Sequence, residues 1–265
     1  MKIISFAAIK GGVGKTTLAF NFGEWLASQK YNVLFIDLDH QCNLTQTYGI
    51  YNNTGTVSNV FTREGDVEIV RTKENISIIP GFMRLDSIEK DLENKGNKDM
   101  LLYMWLQDNY DKYELGNYDY IIIDCHPDFS TVTRNAIAVS HYVLSPIIPS
   151  DFGYNAKFNL ENRLQDFRGD VINYLTRESY ITAKLLFIAN MVKHNTNSSN
   201  ELLKQLNNEQ IASIPYKELF NRSTLDKISI SEMANNKQLY QTHKNFFIKY
   251  EESMSQIESI IKQDF

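Results

Sequence analysis

Three glycines, two lysines and two threonines crowd the eight positions Lys10-Gly11-Gly12-Val13-Gly14-Lys15-Thr16-Thr17, directly behind a mostly apolar run from Ile3 to Ile9. Residues of these types in this order can grip a triphosphate. Gly11, Gly12 and Gly14 let the backbone N–H groups around Val13 converge and come close to an anion. A helix opening near Lys15 adds its unpaired N–H groups and the positive end of its dipole. Lys15 is then placed for the β- and γ-phosphates, the Thr16 hydroxyl for Mg²⁺, and Thr17 for the α-phosphate.

Two more stretches carry carboxylates to the same place. Val33-Leu34-Phe35-Ile36 reads as a fully buried parallel strand and ends in Asp37-Leu38-Asp39. Tyr118-Asp119-Tyr120-Ile121-Ile122-Ile123 is a second such strand and ends in Asp124. In open parallel sheets ligands collect at the carboxyl ends of the strands, so all three aspartates belong beside the glycine-rich turn. An apolar strand ending in a carboxylate is the Walker B arrangement, which makes Asp124 a Mg²⁺ holder opposite Thr16.

The glycine-rich segment does not follow G-x-x-x-x-G-K-[ST]: Ile9 stands where the first glycine belongs, and Lys10 precedes the glycine pair. Lys-Gly-Gly-Val-Gly-Lys-Thr-Thr resembles the deviant Walker A loop of the ParA/MinD ATPases. That resemblance implies that Lys10 reaches across a dimer interface to the partner's phosphates and stabilises transition-state charge. The run from Asp37 to Thr45 resembles the family segment Asp-Leu-Asp-Pro-Gln-Gly-Asn, which implies that Asp39 orients the attacking water and that Asp37 contacts the Mg²⁺ shell. Here His40 and Cys42 replace the proline and the glycine. Cys125-His126-Pro127-Asp128 resembles Cys-Pro-Pro-Ser, with His126 in place of a proline and Asp128 without a matched role. By the same resemblance Asn190, closing the strand from Leu185, and Pro215, closing the strand from Ile211, contact the adenine of ATP.

His40, Cys42, Cys125 and His126 all fall just beyond two strand ends. A Cys₂His₂ metal site is one reading and ordinary loop and core residues the other; the spacing matches no zinc module.

The elements that must hold these residues follow from periodicity. Strand, helix (Leu18, Phe22, Trp25) and buried strand over about the first 38 residues make a βαβ unit. A short helix is expected around Val57 to Phe61, a strand at Ile76 to Pro80 and a helix carrying Leu101, Leu102, Trp105 and Leu106. Further expectations are a helix at Asn135 to Val139, a strand from Tyr142 to Pro149, a helical stripe at Leu160, Leu164 and Phe167, and a helix at Leu202 to Leu206. A terminal helix runs from about Leu239 through Phe246, Tyr250, Met254, Ile257 and Ile261. The fold expected is α/β, a mostly parallel twisted sheet with helices on both faces, forming one P-loop ATPase domain over residues 1–265.

Composition sets the outer limits. A hydrophobic content of 43% is ample for a buried core, and two cysteines in 265 residues argue against a disulfide framework. No apolar run approaches the roughly 18 residues of a membrane span. The net charge is −5, but residues 184–249 carry nine Lys/Arg against five Asp/Glu, net +4, which leaves −9 on the rest. The candidates for nucleic-acid contact are therefore Lys193, Lys217, Arg222, Lys227, Lys237 and Lys244.

The resemblance implies the small form of partition ATPase, without an N-terminal helix-turn-helix. ATP and Mg²⁺ close a homodimer, the dimer binds DNA without sequence preference, and slow hydrolysis stimulated by a ParB-type centromere-binding partner releases it. The expected location is cytoplasmic, on the nucleoid, with no membrane partner. A MinD-like membrane-associated ATPase is an alternative, as is a metal-delivery, cluster-assembly or kinase-type relative. Against the membrane alternative, Glu251, Glu252, Glu258 and Asp264 outnumber Lys249 and Lys262 on the terminal helix, so anionic lipid would be repelled.

Overall fold

The computed structural model describes residues 1–150, 153–194, 196–206 and 209–263. Among these, the strands are β1 (Lys2–Phe6), β2 (Val33–Leu38), β3 (Val70–Lys73), β4 (Ile76–Ile79), β5 (Tyr120–Cys125), β6 (Tyr142–Ile147), β7 (Lys184–Val192) and β8 (Gln210–Pro215). The helices are α1 (Lys15–Ser28), α2 (Asn43–Thr47), α3 (Ser58–Thr62), α4 (Leu85–Leu92), α5 (Leu101–Asp108), α6 (Thr131–Val139), α7 (Gly153–Asp170), α8 (Asn197–Leu206), α9 (Glu218–Leu225), α10 (Ile230–Met233), α11 (Lys237–Thr242) and α12 (Lys244–Lys262).

The strands form one sheet in the order β3-β4-β2-β5-β1-β6-β7-β8. Every pairing is parallel except β3 with β4. The central strands are buried on both faces, so alternate residues feed two cores. Ile4, Phe6, Val33, Phe35 and Ile122 point to the side covered by α1, α9, α10 and α12. Ile3, Leu34, Ile36, Ile121 and Ile123 point to the side covered by α3 to α7. β1 lies between β5 and β6, while the chain leaving it returns as β2 on the far side of β5. The crevice opened by that change of direction lies at the carboxyl end of β1, where the glycine-rich turn begins.

One strand was not expected, and two expectations need correcting. The segment before Ile76 holds β3, which the sequence conceals because an edge strand carrying Arg71 and Lys73 is polar and only partly buried. The helix expected from Asn135 starts earlier, at Thr131, because Asp128 organises its entry: its Oδ1 accepts from the Ser130 N–H at 3.1 Å and the Thr133 hydroxyl at 2.8 Å. The terminal helix is two helices, broken at His243, where φ is −123° and ψ 28°.

The apolar face of α12 is spent inside the fold. Phe246, Phe247, Tyr250, Met254, Ile257 and Ile261 are buried in the core on the α1 side, and the Tyr250 hydroxyl donates to the Asn21 carbonyl at 2.9 Å. No helix among the described residues is long and apolar enough to cross a membrane.

α1 lies tight against β2. A Cβ built on Gly23 would sit 2.2 Å from the Phe35 ring, and Phe35 is fully buried. Gly23→Ala gains about 1 kcal/mol of helix propensity but forces Phe35 to move at a cost of about 1–3 kcal/mol, so the balance is destabilising. Its urea midpoint should fall, and adding Phe35→Leu should recover part of the loss. A midpoint at or above wild type would show that the two elements are not in this contact.

Candidate functional site

The turn after β1 takes the shape its glycines permit. Gly12 and Gly14 have φ of +72° and +87°, and Gly14 caps α1. A Cβ on Gly14 would lie 2.6 Å from the Asn190 amide nitrogen, so both the backbone angle and the space demand glycine. At Gly12 a Cβ would meet nothing within 4 Å, so the turn is open on that side. Lys15 begins the helix with its side chain folded inward, only 6% exposed.

β2 and β5 are paired in register with Asp37 opposite Asp124, and Phe6 of β1 is the other partner of Asp124. Both carboxylates are fully buried. Their surroundings differ. Asp37 Oδ2 accepts from the Thr45 N–H (2.9 Å) and hydroxyl (2.6 Å), and Oδ1 from the Asp39 N–H (3.1 Å). Asp124 has both oxygens buried without a hydrogen-bond partner among the described residues. Burial pushes the Asp37 carboxyl up to about 6, against the pull of the Thr45 hydrogen bonds. Burial, with the Asp37 charge beside it, holds Asp124 well above the usual carboxylate range, opposed by the Thr16 hydroxyl and the Lys15 ammonium. A buried carboxylate with both oxygens unused, facing a hydroxyl and an ammonium, fits a site that takes a hard cation.

Asp39 stands at the mouth of the site, 6% exposed. Its Oδ1 accepts from the Gln41 N–H at 2.8 Å and lies 3.0 Å from Nδ1 of His126. The loop that presents it turns through Cys42, whose φ of +52° is the left-handed conformation for which the resembled segment carries glycine. Cys42 and Cys125 are both buried and unbridged. Burial pushes the Cys42 thiol up to about 12 and holds Cys125 well above the usual thiol range, so neither offers a thiolate.

Asn190 and Pro215 come together beside the turn, lining a cleft with Gly14, Thr17, Tyr216 and Phe220. The Asn190 amide donates to the Val13 carbonyl at 2.7 Å. Lys10 donates to the Ser150 hydroxyl at 3.0 Å, so within one chain it lies along its own surface. The basic candidates are dispersed. The Lys193 ammonium sits 4.9 Å from the centre of the Tyr216 ring, and Lys217 lines the neighbouring cleft. Arg222 is paired with Asp226 at 3.0 Å, and Lys227 lies near Tyr51 in a second cleft shared with Thr16 and Thr17. Lys237 and Lys244 open α11 and α12.

Sequence reasoning missed Thr45, which holds Asp37 while its hydroxyl accepts from the Gly81 N–H at 2.8 Å. Its position one turn into the helix after the aspartate loop was the available signal. It also missed Ser150, which nothing in the local sequence marks, and the contact of His126 with Asp39, two residues 87 positions apart.

Residues 1–176 match the model of a family described as an AAA domain. The sporulation initiation inhibitor protein Soj of Bacillus subtilis is 36% identical over 151 residues, 55% of this chain and 58% of Soj. The chromosome partitioning protein ParA of Myxococcus xanthus is 34% identical over 151 residues, 55% of this chain and 52% of ParA. The chain thus spans little more than half the length of these curated relatives. Among solved structures, a Borrelia burgdorferi B31 protein assigned to plasmid partition and bound to AMPPNP superposes with a TM-score of 0.71 at 23% identity, over 95% of this chain and 98% of that one. At that identity the likeness speaks for the fold, which is that of the P-loop NTPases. The glycine-rich turn, the strand-end aspartates, the sheet order and the matched family model agree: the chain belongs to the ParA/MinD-type AAA domain family.

Proposed function

We propose that the protein is an ATP-driven partition switch. ATP and Mg²⁺ close a homodimer, the closed dimer binds DNA without sequence preference, and slow hydrolysis, stimulated by a ParB-type partner, releases it. The observation that carries the nucleotide half is Asp124: two buried carboxylate oxygens without a hydrogen-bond partner among the described residues, beside an open turn of left-handed glycines. Support for the partition half comes from the Myxococcus xanthus relative named for chromosome partitioning and from the net +4 of residues 184–249.

In this reading Gly11 to Thr17 present backbone N–H groups to the phosphates and Lys15 sets its ammonium against their charge. Thr16 and Asp124 would hold the cation, and Asp37, whose oxygens already accept from the Asp39 N–H and from the Thr45 N–H and hydroxyl, adds charge from behind. Bound Mg²⁺ would neutralise charge on the phosphates. Asp39 orients the attacking water; both of its described contacts fall on Oδ1, which leaves Oδ2 for that task. Asn190 and Pro215 flank the adenine. Lys10 swings from Ser150 to the phosphates of the partner subunit. The membrane alternative finds no support in α12, whose apolar face is already covered.

The deciding experiment is a gel shift of random duplex DNA with and without ATP. A shift that needs ATP and weakens steeply with salt is expected, and absence of any shift at low salt would sink the DNA half. Because Arg222 is already paired with Asp226, the variant to test is Lys193→Glu with Lys217→Glu. It should lose about 100-fold or more in DNA affinity at 0.1 M salt. Nucleotide titration in parallel guards against an indirect effect, since Lys217 borders the base cleft.

Lys15→Ala should weaken nucleotide binding by about 100-fold. Asp124→Asn, which removes a buried charge, should raise the apo melting temperature and lose the extra stabilisation that Mg²⁺ gives to bound nucleotide. A destabilised apo variant with normal Mg²⁺ dependence would remove Asp124 from the cation site.

Asp39→Ala should bind ATP, dimerise and stay closed with turnover reduced at least ~100-fold. Lys10→Ala should bind ATP as a monomer and fail to turn over. Sizing by light scattering against protein concentration separates the two, and wild-type turnover per chain independent of concentration would count against a trans role for Lys10.

A further inference from the structure

His40 and His126 come from loops that leave two neighbouring parallel strands, β2 and β5, whose last paired residues are Leu38 and Cys125. The pairing brings the two imidazoles side by side with ring centres 3.9 Å apart and planes tilted by 38°. Asp39 completes the group. One donor atom from each of Asp39, His40 and His126 lies within 4.8 Å of the other two. Asp39 is buried and both histidines are half-buried, so the three face one another at the rim of the site and not open solvent.

Two imidazoles and one carboxylate form a donor set for borderline divalent transition ions, and a poor one for Mg²⁺, which favours oxygen. Donors held about 2.1 Å from a tetrahedral centre stand roughly 3.4 Å apart, so small side-chain rotations close the set and leave a fourth position for water. The cysteines do not join, since Cys42 directs its sulfur toward the His40 carbonyl at 3.8 Å and Cys125 is fully buried in the apolar core.

We propose that Asp39, His40 and His126 form a binding site for a divalent transition metal of the zinc class, distinct from the Mg²⁺ position at Thr16 and Asp124, and that its occupation halts hydrolysis by engaging the Asp39 carboxylate. The inhibitory half rests on the role given to Asp39 above. The metal site does not.

Full-length protein stripped with chelator is dialysed against Zn²⁺ in millimolar Mg²⁺ without nucleotide, and titrated with Co²⁺ while the visible d–d bands are recorded. One ion per chain is expected, with the absorption of a four-coordinate Co²⁺ site. His40→Ala and His126→Gln should each weaken binding about 100-fold or more, while Cys42→Ser and Lys15→Ala bind as wild type. Thermal melts establish that each variant is folded. Absence of stoichiometric binding, wild-type affinity in both histidine variants, or loss of the site in Cys42→Ser would overturn the assignment. In the second arm Zn²⁺ should suppress ATP turnover of wild type and leave that of His40→Ala unaffected. Zinc bound at these residues with unchanged turnover overturns the inhibitory half alone. A wild type without turnover under any condition counts against the ATPase reading, and dialysis still decides the metal site.

Discussion

Asp37 and Asp124 face each other across neighbouring strands in a region from which water is excluded. Two carboxylates so placed repel each other and resist ionisation, and much of the nearby structure relieves that tension. Thr45 and the Asp39 backbone take up both oxygens of Asp37. Lys15 and Thr16 face Asp124 from the start of α1. The apolar layers on both sides of the sheet supply the stability that lets such a pair persist.

The end of β4 supports the site as well. Beyond β4, the Gly81 N–H donates to the Thr45 hydroxyl, and a Cβ on Gly81 would meet the Asp37 carboxyl and the Cys42 sulfur at 3.0 Å. The backbone there must come close because the same small volume holds the Asp37 carboxylate, its hydroxyl donor and the left-handed turn at Cys42. A non-glycine residue in that conformation costs about 1–2 kcal/mol, and the burial of the Cys42 side chain offsets part of it.

How much of this could be read beforehand follows from range. The glycine-rich turn and the three aspartates were legible because each is a local pattern, an apolar run followed by residues that cannot continue it. The parallel sheet was legible for the same reason, since strands buried on both faces read as unbroken apolar runs. β3 was not, because an exposed edge needs no apolar alternation. His40 and His126 could be grouped in advance as residues just beyond two strand ends, but that Asp39 joins them while the two cysteines stand apart could not, since it depends on which strands are neighbours and on how each loop leaves its strand. The basic residues were legible as charge but not as a surface: Arg222 has its own counter-ion, and Lys193 and Lys227 lie near tyrosine rings on different clefts.

One buried amide links the two ends of the molecule. Asn21, on the helix that begins at the phosphate turn, donates to the Ser223 hydroxyl at 2.8 Å and accepts from the Ile230 N–H at 2.8 Å, while its carbonyl receives the Tyr250 hydroxyl at 2.9 Å. The partners lie 202, 209 and 229 residues further along the chain. During synthesis, when residues emerge one after another, α1 is complete long before these three partners exist, and until then the amide has only the Thr17 carbonyl one turn back, at 2.8 Å. The phosphate turn is among the first parts of the protein to be made, yet the helix behind it is anchored among the last. A nascent chain carries the whole glycine-rich motif for most of its time on the ribosome without the packing that fixes it.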